Sequence, residues 1–193
     1  AIKQPGLVYM RGHRGVVSQI LDPASYRYEI GKTYVLKEGR GVGIISTGSA
    51  TQWALEASEL LAKAGVVHGL LHAPTLKPIR QEEVLEFCKG RKHVFTIENH
   101  QITGGLGSLV AEILSAHNNT PALTRLGVPD RWAPGGSLNY IRGQLGLDSE
   151  TLAKRFCAAA LLRFHRGGRA RTWPRGVQGY RARLRLALGS NAA

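Results

Sequence analysis

Cysteine is scarce in this chain, with only Cys88 and Cys157 among 193 residues. They lie far apart and neither has a CxxC or CxxH context. This excludes a disulfide framework and a zinc or dithiol motif, and leaves buried, unreactive thiols as the expectation. Long hydrophobic runs are missing too. None approaches the roughly 20 residues that a membrane-spanning helix requires. The start, Ala1-Ile2-Lys3-Gln4-Pro5-Gly6, has no long apolar stretch of a secretory signal, so no membrane partner and a cytoplasmic setting are expected. Neither a P-loop, a Ser-His-Asp order nor a paired-carboxylate signature can be read.

Acid is the most unevenly missing residue type. The last one is Glu150, and residues 158–193 hold eight arginines, no lysine and no acid. The formal net charge of +13 therefore does not describe the whole chain. Residues 1–157 carry 18 of the 26 basic residues and all 13 acidic ones, a net of +5. The globular part lacks a basic stripe interleaved with exposed aromatics, so a nucleic-acid partner is not expected there. The Arg-rich tail from residue 161 is expected to be disordered. It has two readings: an altered reading frame at the end of a GC-rich gene, which is preferred, or a natural basic extension that touches RNA or acidic partners.

What is present is a run of strand and helix patterns. Residues 7–11 are β-prone and end in the Arg/His/Gly stretch Arg11-Gly-His-Arg-Gly15. Tyr26, Tyr28 and Ile30 alternate with charged residues before Tyr34-Val35-Leu36, which predicts an extended or hairpin element. From Val42 the pattern becomes βα units. Strands are expected at 42–46, 66–71, 93–97 and 123–127, and helices at 52–64, 80–89, from Leu106 to Leu114, at 137–145 and from Ser149 onward. Ser49 and Gln52 fit a capping box, and Gly65 fits a helix C-cap. Alternation with short connections predicts an α/β fold, a three-layer αβα sandwich around a mostly parallel, roughly five-stranded sheet. In such sheets ligands gather at the C-terminal strand ends, here Thr47-Gly-Ser49, His72-Ala-Pro-Thr75 and Glu98-Asn-His100.

Several residues invite chemistry. His68 and His72 have HxxxH spacing, but on a strand four residues span about 13 Å, too far for two rings to share one ion. No metal site is expected. Gly39, Gly41 and Gly43 precede a strand, whereas a nucleotide loop must follow one. Gly104, Gly105 and Gly107 stand between a strand and a helix. Their N–H groups can hold an anion, or the glycines can serve close packing at the helix entry, which is the favoured reading. Glu98 and His100 form a general acid/base pair on one reading; on the favoured one Glu98 bonds locally or across an interface. Arg11 and Arg14 carry guanidinium forks suited to a phosphate monoester, against the plain alternative of a solvated basic loop.

Taken together, Val42-Gly-Ile-Ile-Ser-Thr-Gly-Ser49, Pro74-Thr-Leu-Lys-Pro-Ile79, Ile97-Glu-Asn-His-Gln-Ile-Thr-Gly-Gly-Leu-Gly-Ser108 and Leu126-Gly-Val-Pro-Asp-Arg131 resemble the transketolase C-terminal domain, with Leu145-Gly-Leu-Asp148 closing the pattern. Pro5-Gly-Leu-Val-Tyr-Met-Arg11 resembles the last strand of the family's pyrimidine-binding domain. There Arg11 matches an arginine that holds the substrate phosphate, and Arg14 would complete an Arg-x-x-Arg form. Arg80 departs from the family, which usually has a capping acid at that position. The tail matches nothing in the family.

The resemblance divides the chain at residues 1–40 (the end of a pyrimidine-binding domain and a linker), 41–160 (a transketolase C-terminal-like domain) and 161–193 (the tail). It implies a transferase of two-carbon ketol units between sugar phosphates. Thiamine diphosphate and magnesium serve the complete enzyme, and none is expected on this chain alone. The catalytic residues are expected upstream of residue 1. The implied partner is the transketolase N-terminal portion, in a dimer or heterotetramer, and the isolated chain is expected to be inactive.

Overall fold

The computed structural model describes residues 5–12 and 17–161. Arg14 and the Arg-rich stretch at 162–193 lie outside the described residues. Ten elements follow in order: β1 (Tyr34–Lys37), β2 (Val42–Ser46), α1 (Ala50–Lys63), β3 (His68–His72), α2 (Gln81–Cys88), β4 (His93–Gln101), α3 (Leu106–Ser115), β5 (Ala122–Val128), α4 (Leu138–Leu145) and α5 (Ser149–Leu161).

The sheet runs β1-β3-β2-β4-β5. β3, β2, β4 and β5 are parallel to their neighbours, while β1 lies antiparallel on the β3 edge. Adjacent residues of each central strand serve opposite faces, as a period of two requires. Ile44, Leu70 and Phe95 pack with Trp53, Ala57 and Leu61 of α1 and with Leu152 and Phe156 of α5. Their neighbours Ile45, Leu71 and Val94 pack with Val84 and Phe87 of α2 and with Leu106, Val110 and Ile113 of α3. These are the expected three layers, and the parallel strands are apolar on both sides because both faces are covered. Phe95 and Phe156 meet edge to face at 4.8 Å, fixing α5 on the sheet.

Local signals explain the helix ends. Gly65, at φ +74°, follows the C-terminus of α1, and Gly146, at φ +64°, caps α4 in the left-handed region that disfavours a Cβ. Gly41 brings β2 against β3 so closely that a Cβ there would lie 1.7 Å from the Val67 carbonyl oxygen. The Gly39-x-Gly41 spacing therefore serves backbone approach.

Three sequence expectations are corrected. Residues 7–11 form no strand, and Leu7, Val8, Tyr9 and Met10 are exposed, because no neighbouring strand among the described residues pairs with them. Residues 26–30 form no hairpin with 34–36; the latter segment pairs instead with β3. The capping box does not form, since Ser49 makes no side-chain bond to its own helix.

The approach to β1 is pinned to α2. Glu83 accepts hydrogen bonds from the Thr33 N–H and hydroxyl, each 2.7 Å, and from Arg80 at 3.1 Å. Burial opposes ionisation of Glu83, but the Thr33 and Arg80 contacts outweigh it and hold the carboxyl below its usual range. Arg80 also pairs with Glu29. The cation at the start of α2 is thus neutralised on two sides.

Candidate functional site

The strand order dictates where a crevice opens. From β2 the chain runs through α1 to β3 on one side, then crosses through α2 to β4 on the other. The connections leaving β2 and β4 rise to opposite faces, α1 on one and α3 on the other. This is a topological switch point, where open α/β sheets leave a crevice beyond the carboxyl ends of their strands. A cleft of about 750 Å³ stands there, bounded by Thr47, Gly48, Ser49, Asn99 and His100, with Arg11 and Gly12 closing one side.

The cleft residues are held by hydrogen bonds that leave chemistry free. Thr47 donates its hydroxyl to the Ala73 carbonyl at 2.7 Å, tying the β2 and β3 ends together. Asn99 Nδ2 donates to Ser49 Oγ at 3.1 Å, bridging the loops after β4 and β2. His100 Nδ1 donates to the Gln101 carbonyl at 2.8 Å, which places its proton on Nδ1. Gln101 in turn donates to Asp130 at 2.6 Å. No carboxylate borders the cleft, and among the described residues Arg11 makes no ion pair.

Glu98 does something else. It is fully buried, at 0% exposure, and its two carboxylate oxygens accept from the Leu106 and Gly107 N–H groups, each at 2.8 Å. These are unpaired donors at the N-terminus of α3, where the helix dipole favours negative charge. The Gly-Gly-Leu-Gly turn thus binds an anion, and that anion is the protein's own side chain. A Cβ on Gly105 would sit 1.8 Å from Glu98 Oε2, and one on Gly107 would sit 2.8 Å from Arg125. Gly105 and Gly107 stand where a Cβ would meet packed neighbours, while Gly104, at φ +77°, makes the turn before them and donates its N–H to Ser108 Oγ. Glu98 and His100 do not form an acid/base pair. Glu98 is spent on α3 and His100 stands exposed at the cleft.

The two spaced histidines are also accounted for. His68 Nε2 pairs with Ser58 Oγ at 2.7 Å and its Nδ1 with the Val66 carbonyl at 2.8 Å. His72 Nδ1 pairs with Thr51 Oγ1 at 2.9 Å. Both rings join β3 to α1, and burial holds both below the ordinary histidine range. Burial likewise pushes the Cys88 and Cys157 thiols up to about 11, so both are inert at neutral pH.

The cleft and the self-capped turn do not fit thiamine diphosphate with its metal. The glycine-rich turn at the start of α3 is filled by Glu98, and among the described residues no three His, Cys, Asp or Glu side chains gather to hold a metal ion. Sequence reasoning named the strand ends that build the cleft but missed the Ser49–Asn99 bridge. The failed capping box was its only trace: the hydroxyl expected to serve α1 serves β4 instead.

Sheet, layers and crevice define a class, a doubly covered α/β domain with its opening at the switch point. Within that class the chain belongs to the transketolase C-terminal domain family, whose model matches residues 31–152. It is 40% identical over 146 residues to a transketolase family protein of Sinorhizobium fredii, covering 75% of this chain and 42% of that one. It is 37% identical over 128 residues to a transketolase C-terminal section of Methanocaldococcus jannaschii, covering 66% of this chain and 40% of the other. Among solved structures, a split-gene transketolase in an inactive β4 tetramer aligns with a TM-score of 0.69 at 34% identity, over 77% of this chain and 48% of that one. The chain therefore matches less than half the length of each of these relatives.

Proposed function

We propose that this chain supplies the C-terminal portion of a thiamine-diphosphate-dependent enzyme that moves two-carbon ketol units between sugar phosphates. The observation that carries this reading is the family match across residues 31–152, within relatives much longer than the matched segment. On this reading the cofactor and its magnesium are held by a transketolase N-terminal portion. The assembly is a dimer or heterotetramer working in the cytoplasm. That a relative is a split-gene transketolase supports a separate partner subunit.

Arg11 is assigned to the substrate phosphate, with Arg14 as its second fork. A guanidinium without a carboxylate partner, standing at a cleft, suits that role. The exposed apolar run of Leu7, Val8, Tyr9 and Met10, unpaired in this chain, pairs as a strand once the preceding domain is in place. The linker that follows, up to residue 40, closes the sheet with β1 as its edge strand, residues 41–160 form the C-terminal-like domain, and 161–193 are the tail.

Titration calorimetry with thiamine diphosphate and magnesium tests the reading. The chain alone is expected to give no binding, and its mixture with a transketolase N-terminal half is expected to bind. Tight binding by this polypeptide alone would contradict it.

A further inference from the structure

We propose that the groove between α2 and β1 is a second binding site, for a small monoanionic carboxylate with an apolar body, held by Arg40 and Arg91 over Val35, Leu71 and Phe87. Arg40 precedes β2 and Arg91 precedes β4, so the groove opens at the amino ends of the parallel strands, opposite the switch-point cleft. The site goes beyond the functional reading above and does not rest on it.

Two strand glycines make the room that Arg91 occupies. Gly43 and Gly69 are register partners on β2 and β3, and they lie two residues before Ile45 and Leu71, on the face that α2 covers. A Cβ on Gly43 would lie 2.8 Å from Arg91 Cδ, and one on Gly69 would lie 2.6 Å from Arg91 Nη2. In this notch Arg91 Nε donates to the Phe87 carbonyl at 2.5 Å and Nη1 donates to the Gly41 carbonyl at 3.2 Å. The guanidinium lies 4.2 Å from the Phe87 ring centroid, a cation–π contact that fixes its plane. Two of its five N–H groups are thus committed, and the rest remain to bind a ligand.

The charges along the groove do not balance. Glu83 is spent on Thr33 and Arg80, and Glu86 pairs with Lys89 at 3.2 Å. Among the described residues Glu38, Arg40 and Arg91 take part in no ion pair. Two guanidinium groups therefore face one carboxylate, a surplus of a single positive charge. Burial lowers the Arg91 pKa from its ordinary value and Arg40 acts in the same direction, against the pull of Glu38, as for a cation short of negative charge. A carboxylate closes that balance and fits a guanidinium fork with both oxygens. A dianion such as a phosphate meets Glu38 and gains nothing from the apolar wall of Val35, Leu71 and Phe87. The groove encloses about 370 Å³, near the lower end of the roughly 300–1,000 Å³ of small-molecule sites.

The test is titration of the full chain with 4-methylpentanoate, its uncharged amide, inorganic phosphate and leucine, followed by NMR shifts of backbone amides. The carboxylate is expected to bind about tenfold more tightly than the amide or phosphate, with shifts at residues 38–40 and 87–91. Arg40 is exposed and makes no hydrogen bond or ion pair within the domain, so Arg40→Gln keeps the fold; it is expected to weaken binding about tenfold. Glu38→Gln removes the opposing charge and is expected to tighten binding about threefold. Equal binding of carboxylate and amide, binding unchanged in Arg40→Gln, or shifts confined to other residues overturns the proposal. Tighter binding of leucine makes Glu38 an ammonium partner, and tighter binding of phosphate makes the apolar wall irrelevant; either result overturns the monoanion assignment. Absence of any binding at millimolar concentration overturns the site itself.

Discussion

A buried carboxylate survives only where hydrogen bonds replace the water it has lost, and Glu98 shows how completely a helix end can do this. Its two oxygens receive two backbone N–H groups and the positive end of α3. Glu98→Ala leaves those donors unsatisfied in the interior and is expected to cost about 2–4 kcal/mol, measured by the shift in urea midpoint. Gly105→Ala drives a Cβ into the same carboxylate and is expected to be at least as damaging. His68, His72 and His93 carry the opposite lesson. Burial lowers all three below the value of 6.5 they have when unfolded. The unfolded chain then binds protons that the folded chain refuses, so stability is full above about pH 6.5 and falls as the pH drops below it. Thermal melts from pH 8 to pH 5 are expected to show that fall, and His68→Gln with His72→Gln to flatten it. The sequence put Glu98 at a strand end, bonding locally or across an interface, and the glycines at the helix entry that follows. It could not show which atom filled the turn, because that depends on β4 running past Ile97 to Gln101 and carrying Glu98 under α3.

At the scale of elements, periodicity made the four parallel strands and five helices legible; the strands and α1, α2, α3 and α5 bury apolar faces in the sheet's two covering layers, while α4 buries no residue fully. It failed where an element's fate depends on a distant partner. Residues 34–36 read as part of an extended or hairpin element with their sequence neighbours. Their actual partner is β3, reached through a β1 segment anchored by Thr33 to Glu83 of α2. Glu83→Gln weakens that anchor. Faster hydrogen exchange at residues 33–37 is expected, with α1 and β4 unaffected. Leu7 to Arg11 reads as a strand and is none, because strand propensity is only a disposition to pair. Ser49 reads as a helix cap, yet its hydroxyl accepts from Asn99, 50 residues away.

For the whole molecule, the opening lies where strand order reverses, and that order was not written in any single motif. Alternation of strand and helix patterns supplied the fold class, and family resemblance the expectation for Arg11. The cleft that brings Arg11 beside Ser49, Asn99 and His100 came only with the topology. No helix among the described residues is long and apolar enough to cross a membrane. The central claim is that this chain completes an enzyme whose chemistry is housed elsewhere. A ketol-transfer assay with xylulose 5-phosphate, ribose 5-phosphate, thiamine diphosphate and magnesium tests it most directly, run on this chain alone and mixed with a transketolase N-terminal half. Transfer in the mixture and none from the chain alone is the predicted result. Transfer by the chain alone, or none in either reaction, would contradict the account.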